Sequence, residues 1–220
     1  MNVRVWRTIL AAGAISVAVA AEARNNVLTR QERREGFVLL FNGKDLTGWD
    51  GDPRFWSVRE GAIVGSTDQH SPERNTFLIY KEPYADFVLK FDIKLRNGNS
   101  GMQFRSTRLP DWVVTGYQAD ASEAGDKSAW GNLYDEGGQG RGLMHTSDEG
   151  WLKAKGVVRV GDWNHYEVVA QGRRVILRLN GVETLNQEVE KTESGVIAIQ
   201  LHRGPAMEVQ VRNIKLKVLK

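Results

Sequence analysis

Between Phe87 and Leu95 every second residue is strongly apolar: Phe87, Leu89, Phe91, Ile93 and Leu95 alternate with Val88, Lys90, Asp92 and Lys94. Side chains of an extended strand point to opposite faces in turn, so this period of two fixes a strand with one buried and one wetted face. Weaker versions recur at Thr76–Tyr80, Tyr166–Ala170 and Val175–Leu179, the last followed by the hairpin dipeptide Asn180-Gly181 and a return strand from Val182. Phe55–Val64 holds a turn at Glu60-Gly61, and Val38–Phe41 reads as a buried strand before the turn at Asn42-Gly43. In the last strand Met207, Val209 and Val211 share one parity and Ile214, Leu216 and Val218 the other. A one-residue bulge near Arg212-Asn213 returns all six to the core. With 23 glycines, 7 tryptophans and no long amphipathic helical pattern, the chain reads as all-β, strands joined by Gly-rich turns.

The first residues stand apart. Arg4 and Arg7 precede an apolar run from Ile9 to Ala21, too short to span a bilayer comfortably, with A-x-A-like cleavage points at Ala18/Ala20 and Ala21/Ala23. Residues 1–23 are therefore expected to be an export signal, leaving no stable membrane anchor after cleavage and a periplasmic or secreted protein. The chain has no cysteine, which excludes disulfides and a lipid-modified cysteine anchor. Residues 24–36 read as a linker or one short helix from Thr29, with Glu32 at capping-box spacing. Residues 37–220 read as one domain. Lys plus Arg number 30 against 27 Asp plus Glu, and the basic residues are scattered with no run interleaved by aromatics, so nucleic acid is not an expected partner.

Three stretches share a second pattern: Met102-Gln103-Phe104-Arg105, Tyr117-Gln118-Ala119-Asp120 and Ile199-Gln200-Leu201-His202. Each puts two polar residues at i and i+2 between apolar ones, so Gln103, Arg105, Gln118, Asp120, Gln200 and His202 are expected on one open sheet face. An acid, an imidazole, a guanidinium and amides together suit a hydroxyl-rich ligand such as a sugar. Two long connections, Ala121–Gly131 and Gly137–Gly156, are candidate rims for that face.

Leu40-Phe41-Asn42-Gly43-Lys44-Asp45-Leu46-Thr47-Gly48-Trp49, Asn99-Ser100-Gly101-Met102 to Arg105, and Gly116-Tyr117-Gln118-Ala119-Asp120 are joined by five further short segments. These are Asn132 to Gly138, Gly161-Asp162-Trp163-Asn164, Leu179-Asn180-Gly181, Ile199 to His202 and Val211-Arg212-Asn213-Ile214. In this order, from about Phe37 to the C-terminus, they resemble the 3-keto-disaccharide hydrolase family. The resemblance implies a concanavalin-like jelly-roll sandwich of two antiparallel sheets in secreted or periplasmic bacterial proteins. It also implies hydrolysis, or elimination followed by hydration, of glycosides oxidised at C3. Many members carry a Gly-Tyr-Glu-like stretch where this chain has Gly116-Tyr117-Gln118, so a base is needed from another position.

A C3 ketone acidifies the hydrogen on C2, so a base can form an enediolate and expel the C1 substituent. His202 is a candidate proton carrier. Asp120 is a candidate base, an orienter of His202, or a divalent-cation ligand together with Glu136. Glu136 is the preferred acid and Arg105 suits the enolate oxygen. Asn99, Gln103, Gln118 and Gln200 would position sugar hydroxyls, Tyr134 shares parity with Glu136, Trp130 is a candidate stacking platform, and His145 a candidate cap. No metal-ligand spacing, nucleophile elbow or dinucleotide loop is present, so the metal stays undecided. The rival reading is a non-catalytic carbohydrate-binding module on the same scaffold.

Overall fold

The computed structural model describes residues 25–122, 129–137, 142–144, 148–190 and 193–220. The expected export signal and His145 lie outside them. Thr29 caps the helix α1 (Arg30–Glu35) with the reciprocal Thr29–Glu32 box that the sequence predicts. Next come β1 (Val38–Leu39), β2 (Trp49–Asp50), β3 (Trp56–Arg59), β4 (Ala62–Ser66), β5 (Thr76–Tyr80), β6 (Phe87–Arg96), β7 (Asn99–Leu109) and β8 (Val113–Ser122). The remainder is β9 (Leu133–Glu136), β10 (Gly142–Met144), α2 (Asp148–Val157), β11 (Asn164–Gln171), β12 (Arg174–Leu179), β13 (Val182–Glu188), β14 (Val196–Leu201) and β15 (Glu208–Val218).

These strands form two antiparallel sheets, as expected of a jelly-roll sandwich. One runs β13-β12-β11-β6-β15-β4-β3 with β1 beside β15, and the other β10-β9-β8-β7-β14-β5-β2. The alternation in β6 is realised in full: Phe87, Leu89, Phe91, Ile93 and Leu95 are buried between the sheets. The bulge in β15 falls at the expected place, with Asn213 in the left-handed region and the register slipping between Arg212 and Lys215. It buries Met207, Val209, Val211, Ile214 and Leu216, but Val218 is exposed. Val38 is exposed too, so Leu40 and Phe41 carry the burial expected of the whole first strand. The connection Gly137–Gly156 is not structureless, since it contains β10 and most of α2. Gly150 and Gly156 lower its helical propensity and hide that helix from the sequence.

A second bulge was not legible in the sequence. On β7 three steps separate Phe104 from Thr107, against two from Tyr117 to Thr115 on β8, so β7 carries one extra residue. The same slip appears against β14, where Gln103 faces Ala198 and Ser106 faces Val196. Arg105 takes the extra position with φ +48°, a left-handed conformation rare for a residue with a Cβ. Two glycines make room for it. A Cβ on Gly195 would lie 2.4 Å from the Arg105 carbonyl carbon, and one on Gly116 would lie 2.5 Å from Ser106 Oγ.

The bulge corrects the expected placement of Arg105. Strict alternation would put it beside Gln103 on the outward face, but the extra residue reverses parity. Its side chain is fully buried, with Nε donating to Ala85 O at 2.6 Å, Nη1 to Gly172 O at 2.8 Å and Nη2 to Asp86 Oδ1 at 2.9 Å. These partners flank β6 and β11 of the other sheet, so the guanidinium ties the two sheets together.

Beyond the bulge the β7–β8 hairpin leaves the plane of its sheet. Phe77 N on β5 and Lys81 N just past its end share parity, and Lys81 N donates to Gly48 O on the side away from β14. Phe77 N donates to Trp112 O at 2.9 Å, so the hairpin tip has crossed over β14 to reach the outer edge of β5. Under it lies a small apolar cluster of Phe77, Ile79, Val114 and Ala198, separate from the main core. Asp50 accepts from Trp112 Nε1 at 3.0 Å and pairs with Arg108, while Arg74 pairs with Asp111. Replacing Arg105 with alanine removes a fully buried side chain together with its ion pair to Asp86 and its bonds to two carbonyls, and should cost roughly 3 kcal/mol. A drop in the urea unfolding midpoint measures this.

Candidate active site

The outward face of β7, β8, β9 and β14 splits into two halves: the apolar cluster under the hairpin, and a polar cleft of about 150 Å³ at the other end of the strands. Asn75, Asn99, Asp120, Tyr134, Glu136, Gln200 and His202 line this cleft. Alternation explains most of the set. Asp120 on β8, Gln200 on β14, and Tyr134 and Glu136 on β9 share the face turned from the core, whose side holds Ala119, Ala121, Ile199, Leu201 and Leu133. His202 continues the polar parity just past β14.

Asp120 is the most constrained of these groups. Its side chain is buried, and its Oδ1 accepts from Gln118 Nε2 at 2.9 Å, Ala121 N at 3.1 Å and Asn99 Nδ2 at 3.2 Å. Among the described residues these bonds all end on Oδ1, which leaves Oδ2 to the cleft. Burial outweighs the three donors and pushes the carboxyl up to about 7, with the Glu136 charge adding to the rise. Its backbone is held from inside the sandwich. Tyr166 Oη donates to Asp120 O at 2.5 Å, and the Tyr166 ring is stacked between Phe91 and Trp130.

Glu136 is half-buried and likewise shifted upward, mainly by desolvation. Hydrogen bonds from Asn75 Nδ2 (3.3 Å) and Gln200 Nε2 (3.1 Å), and the attraction of His202, partly offset that shift. His202 Nδ1 is hydrogen-bonded to Arg203 O. A carbonyl can only accept, so Nδ1 carries the proton and Nε2 is the nitrogen available to a ligand.

The structure thus brings together Asp120, Glu136, His202, Asn99, Tyr134 and Gln200 from the expected set. Four expected members stand elsewhere. Arg105 points into the sandwich, as described. Trp130 is buried against Tyr166 rather than open to a ligand, the ordinary fate of a large aromatic near a sandwich core. Gln103 and Gln118 keep the right parity but are buried behind the cleft, where Gln103 Nε2 donates to Gln118 Oε1 at 3.1 Å.

Asn75 is the residue sequence reasoning missed. Strand pairing signals it, since Thr76 opposite Leu201 places Asn75 next to His202, and its Oδ1 accepts from Arg203 N at 3.1 Å. Among the described residues no group of three or more His, Asp or Glu side chains could hold a metal ion.

A larger hollow, about 340 Å³, lies at the hairpin tip between Asp52, Arg54, Arg74, Asp111 and Trp112. Its two arginines are already matched, Arg54 to Asp52 and Arg74 to Asp111, and Glu73 also lines it. The smaller cleft holds the two upward-shifted carboxyls, and no Lys or Arg is among its described lining, so the unusual electrostatics reside there.

A raised folded-state pKa makes a carboxyl favour the native state below its unfolded value near 4, and that stabilisation is lost as pH rises through about 7. Asp120→Asn should therefore gain stability relative to the wild type between pH 5 and pH 8, by up to a few kcal/mol. Thermal unfolding of both proteins at the two pH values measures the difference, and a constant gap would contradict the assignment.

Comparison with known proteins agrees with the fold. A 26% identical crystal structure, of a proposed glycosyl hydrolase from Parabacteroides distasonis, superposes with a TM-score of 0.66 over 90% of this chain and 100% of its own. The carbohydrate-binding module CBM66 from Bacillus subtilis (17% identity, TM-score 0.57, 76% of this chain and 94% of its own) shares the fold. So does the κ-carrageenase of Pseudoalteromonas carrageenovora, solved with an oligotetrasaccharide (11% identity, TM-score 0.53, 84% and 94%). No curated protein is recognisably similar in sequence. Residues 36–217 match the model of the 3-keto-alpha-glucoside-1,2-lyase-like domain, and the chain belongs to that carbohydrate-active family.

Proposed function

We propose that the protein is an exported enzyme that cleaves the glycosidic bond of 3-keto-glycosides by removing the C2 proton and expelling the C1 substituent. The observation that carries this reading is a buried carboxyl with a pKa of about 7, Asp120, facing a small polar cleft beside a second upward-shifted carboxyl, Glu136. A base for a ketone-activated proton works best when its pKa lies near the working pH, and burial supplies that value here. A module that only bound sugar would gain nothing from holding two poorly compensated carboxyls, which weaken the fold at neutral pH.

In this mechanism Asp120 takes the C2 proton through Oδ2. Electron density moves onto the C3 oxygen, and the C1–O bond breaks as Glu136 delivers a proton to the departing oxygen. With Arg105 turned into the sandwich, stabilisation of the enediolate falls to His202 in its protonated form, in which Nε2 as well as Nδ1 donates, and to the amide donors of Asn75 and Asn99, which are neutral but held in place. Water then adds across the resulting double bond, either at this site or after release.

The test is to supply a 3-keto-disaccharide deuterated at C2, alongside its unoxidised parent. Deuterium should be lost from C2 as the aglycone is released, and the parent should not be cleaved. Equal rates on both substrates would eliminate the keto-assisted route, and retention of deuterium would eliminate elimination chemistry. Asp120→Asn should lower kcat by about 10²–10⁴-fold while sugar binding survives.

A further inference from the structure

Behind the cleft runs a chain of side-chain hydrogen bonds whose direction is fixed by chemistry. Ser106 Oγ donates to Gln103 Oε1 at 2.9 Å, and Gln103 Nε2 donates to Gln118 Oε1 at 3.1 Å. There the chain forks. Gln118 Nε2 donates to Asp120 Oδ1 at 2.9 Å and to Gln200 Oε1 at 3.2 Å, and Gln200 Nε2 donates to Glu136 Oε2 at 3.1 Å. Gln103, Gln118, Gln200 and Ser106 are all at most 2% exposed, so solvent offers no substitute partners.

We infer that Ser106, Gln103, Gln118 and Gln200 form an oriented amide relay that couples the charge states of Asp120 and Glu136. An ionised carboxylate only accepts, so Asp120 forces the Gln118 amide nitrogen toward itself and the amide oxygen toward Gln103. Gln103 must then present its own nitrogen, and its oxygen takes the Ser106 hydroxyl. On the other branch Gln118 nitrogen turns Gln200 so that its nitrogen meets Glu136. Rotating any one amide by half a turn sets oxygen against oxygen in a buried place, a costly arrangement. Reversal needs a hydroxyl at each end, Ser106, which accepts as readily as it donates, and a protonated carboxyl, and it also gives up the 3.4 Å bond from Gln118 Nε2 to the Ser100 carbonyl. Reversal therefore favours protonation of both carboxyls together.

Direct repulsion works the opposite way, because an ionised Glu136 favours a protonated Asp120. The relay opposes that preference by aiming an amide nitrogen at one oxygen of each carboxyl, Asp120 Oδ1 and Glu136 Oε2, and a proton on the other oxygen of Glu136 leaves the relay in place for the proposed reaction. Among the described residues, the other titratable groups facing the pair are Tyr134 and His202, which share the cleft with both, Asp135, which adjoins Glu136, and Tyr166, which meets the Asp120 backbone. In this arrangement Gln103, Gln118 and Ser106 are positioning residues, and none of the three is part of the cleft lining.

The inference depends on the proposed function only for the use made of the two carboxyls, and its test needs no turnover. Side-chain carboxyl carbon resonances of Asp120 and Glu136, assigned with Asp120→Asn and Glu136→Gln, give each midpoint directly in the full chain. Gln103→Met removes the donor to Gln118 without touching either carboxyl, and should raise both midpoints by about half a pH unit. Ser106→Ala deletes one hydroxyl and should move both the same way by less, and it decides the matter alone if Gln103→Met does not fold. Midpoints within about 0.2 pH unit of wild type in the folded variants, or movement of Asp120 alone, would overturn the relay. Failure of the deuterium experiment with the midpoints moving as expected would overturn the enzymatic reading and leave the relay standing.

Discussion

The extra residue at Arg105 is the constraint on which the rest of the molecule turns. A left-handed residue with a side chain costs on the order of 1 kcal/mol or more and survives only where its surroundings over-determine it. Here the surroundings do so twice. Gly116 and Gly195 clear the space on the two flanking strands, and the buried guanidinium finds two carbonyls and Asp86 on the opposite sheet. One local irregularity thereby fixes the sheets against each other and tilts the hairpin that follows. It also sets Ser106 facing Gln103.

The cleft owes its chemistry to burial without a charged neighbour of opposite sign. Had β7 kept strict alternation, the guanidinium would lie on the same outward face, four residues along the strand from Gly101, the partner of Asp120. Burial dominates and neutral amides are left to orient the carboxylate, so Asp120 sits at about 7. Asn99, Gln118 and the Ala121 amide hold the group in position without supplying a charge that would pin it ionised.

Much of this was legible in the sequence where a strand repeats without interruption. The β6 alternation, the Asn180-Gly181 hairpin, the Thr29–Glu32 cap and the β15 bulge each leave a local mark: a parity, a turn dipeptide, a spacing or a visible slip in parity. The β7 bulge leaves none, because Gln103 and Arg105 are both polar and either parity looks acceptable for an outward face. Trp130 failed for a related reason, since an aromatic just before β9 fits a sugar platform and a core stack equally until Tyr166 is placed beside it. Asn75 was invisible because only the pairing of β5 with β14, distant in sequence, puts it beside His202.

Shape and electrostatics in this site are consequently not separable. Ser106 sits immediately after the strained residue, opposite Val196 on one strand and against Gly116 on the next, and its hydroxyl begins the amide chain that ends on both carboxyls. The same backbone step also launches the hairpin that roofs Phe77, Ile79, Val114 and Ala198, closing one end of the outward face and confining the open portion to the carboxylate end. A substitution that relaxed the bulge would at once return a cation to the outward face, reverse the facing of Ser106 and lift the roof from the apolar half. Groups that would otherwise vary one at a time are tied to a single backbone conformation, so a cleft with this carboxyl chemistry requires the bulge that shapes it.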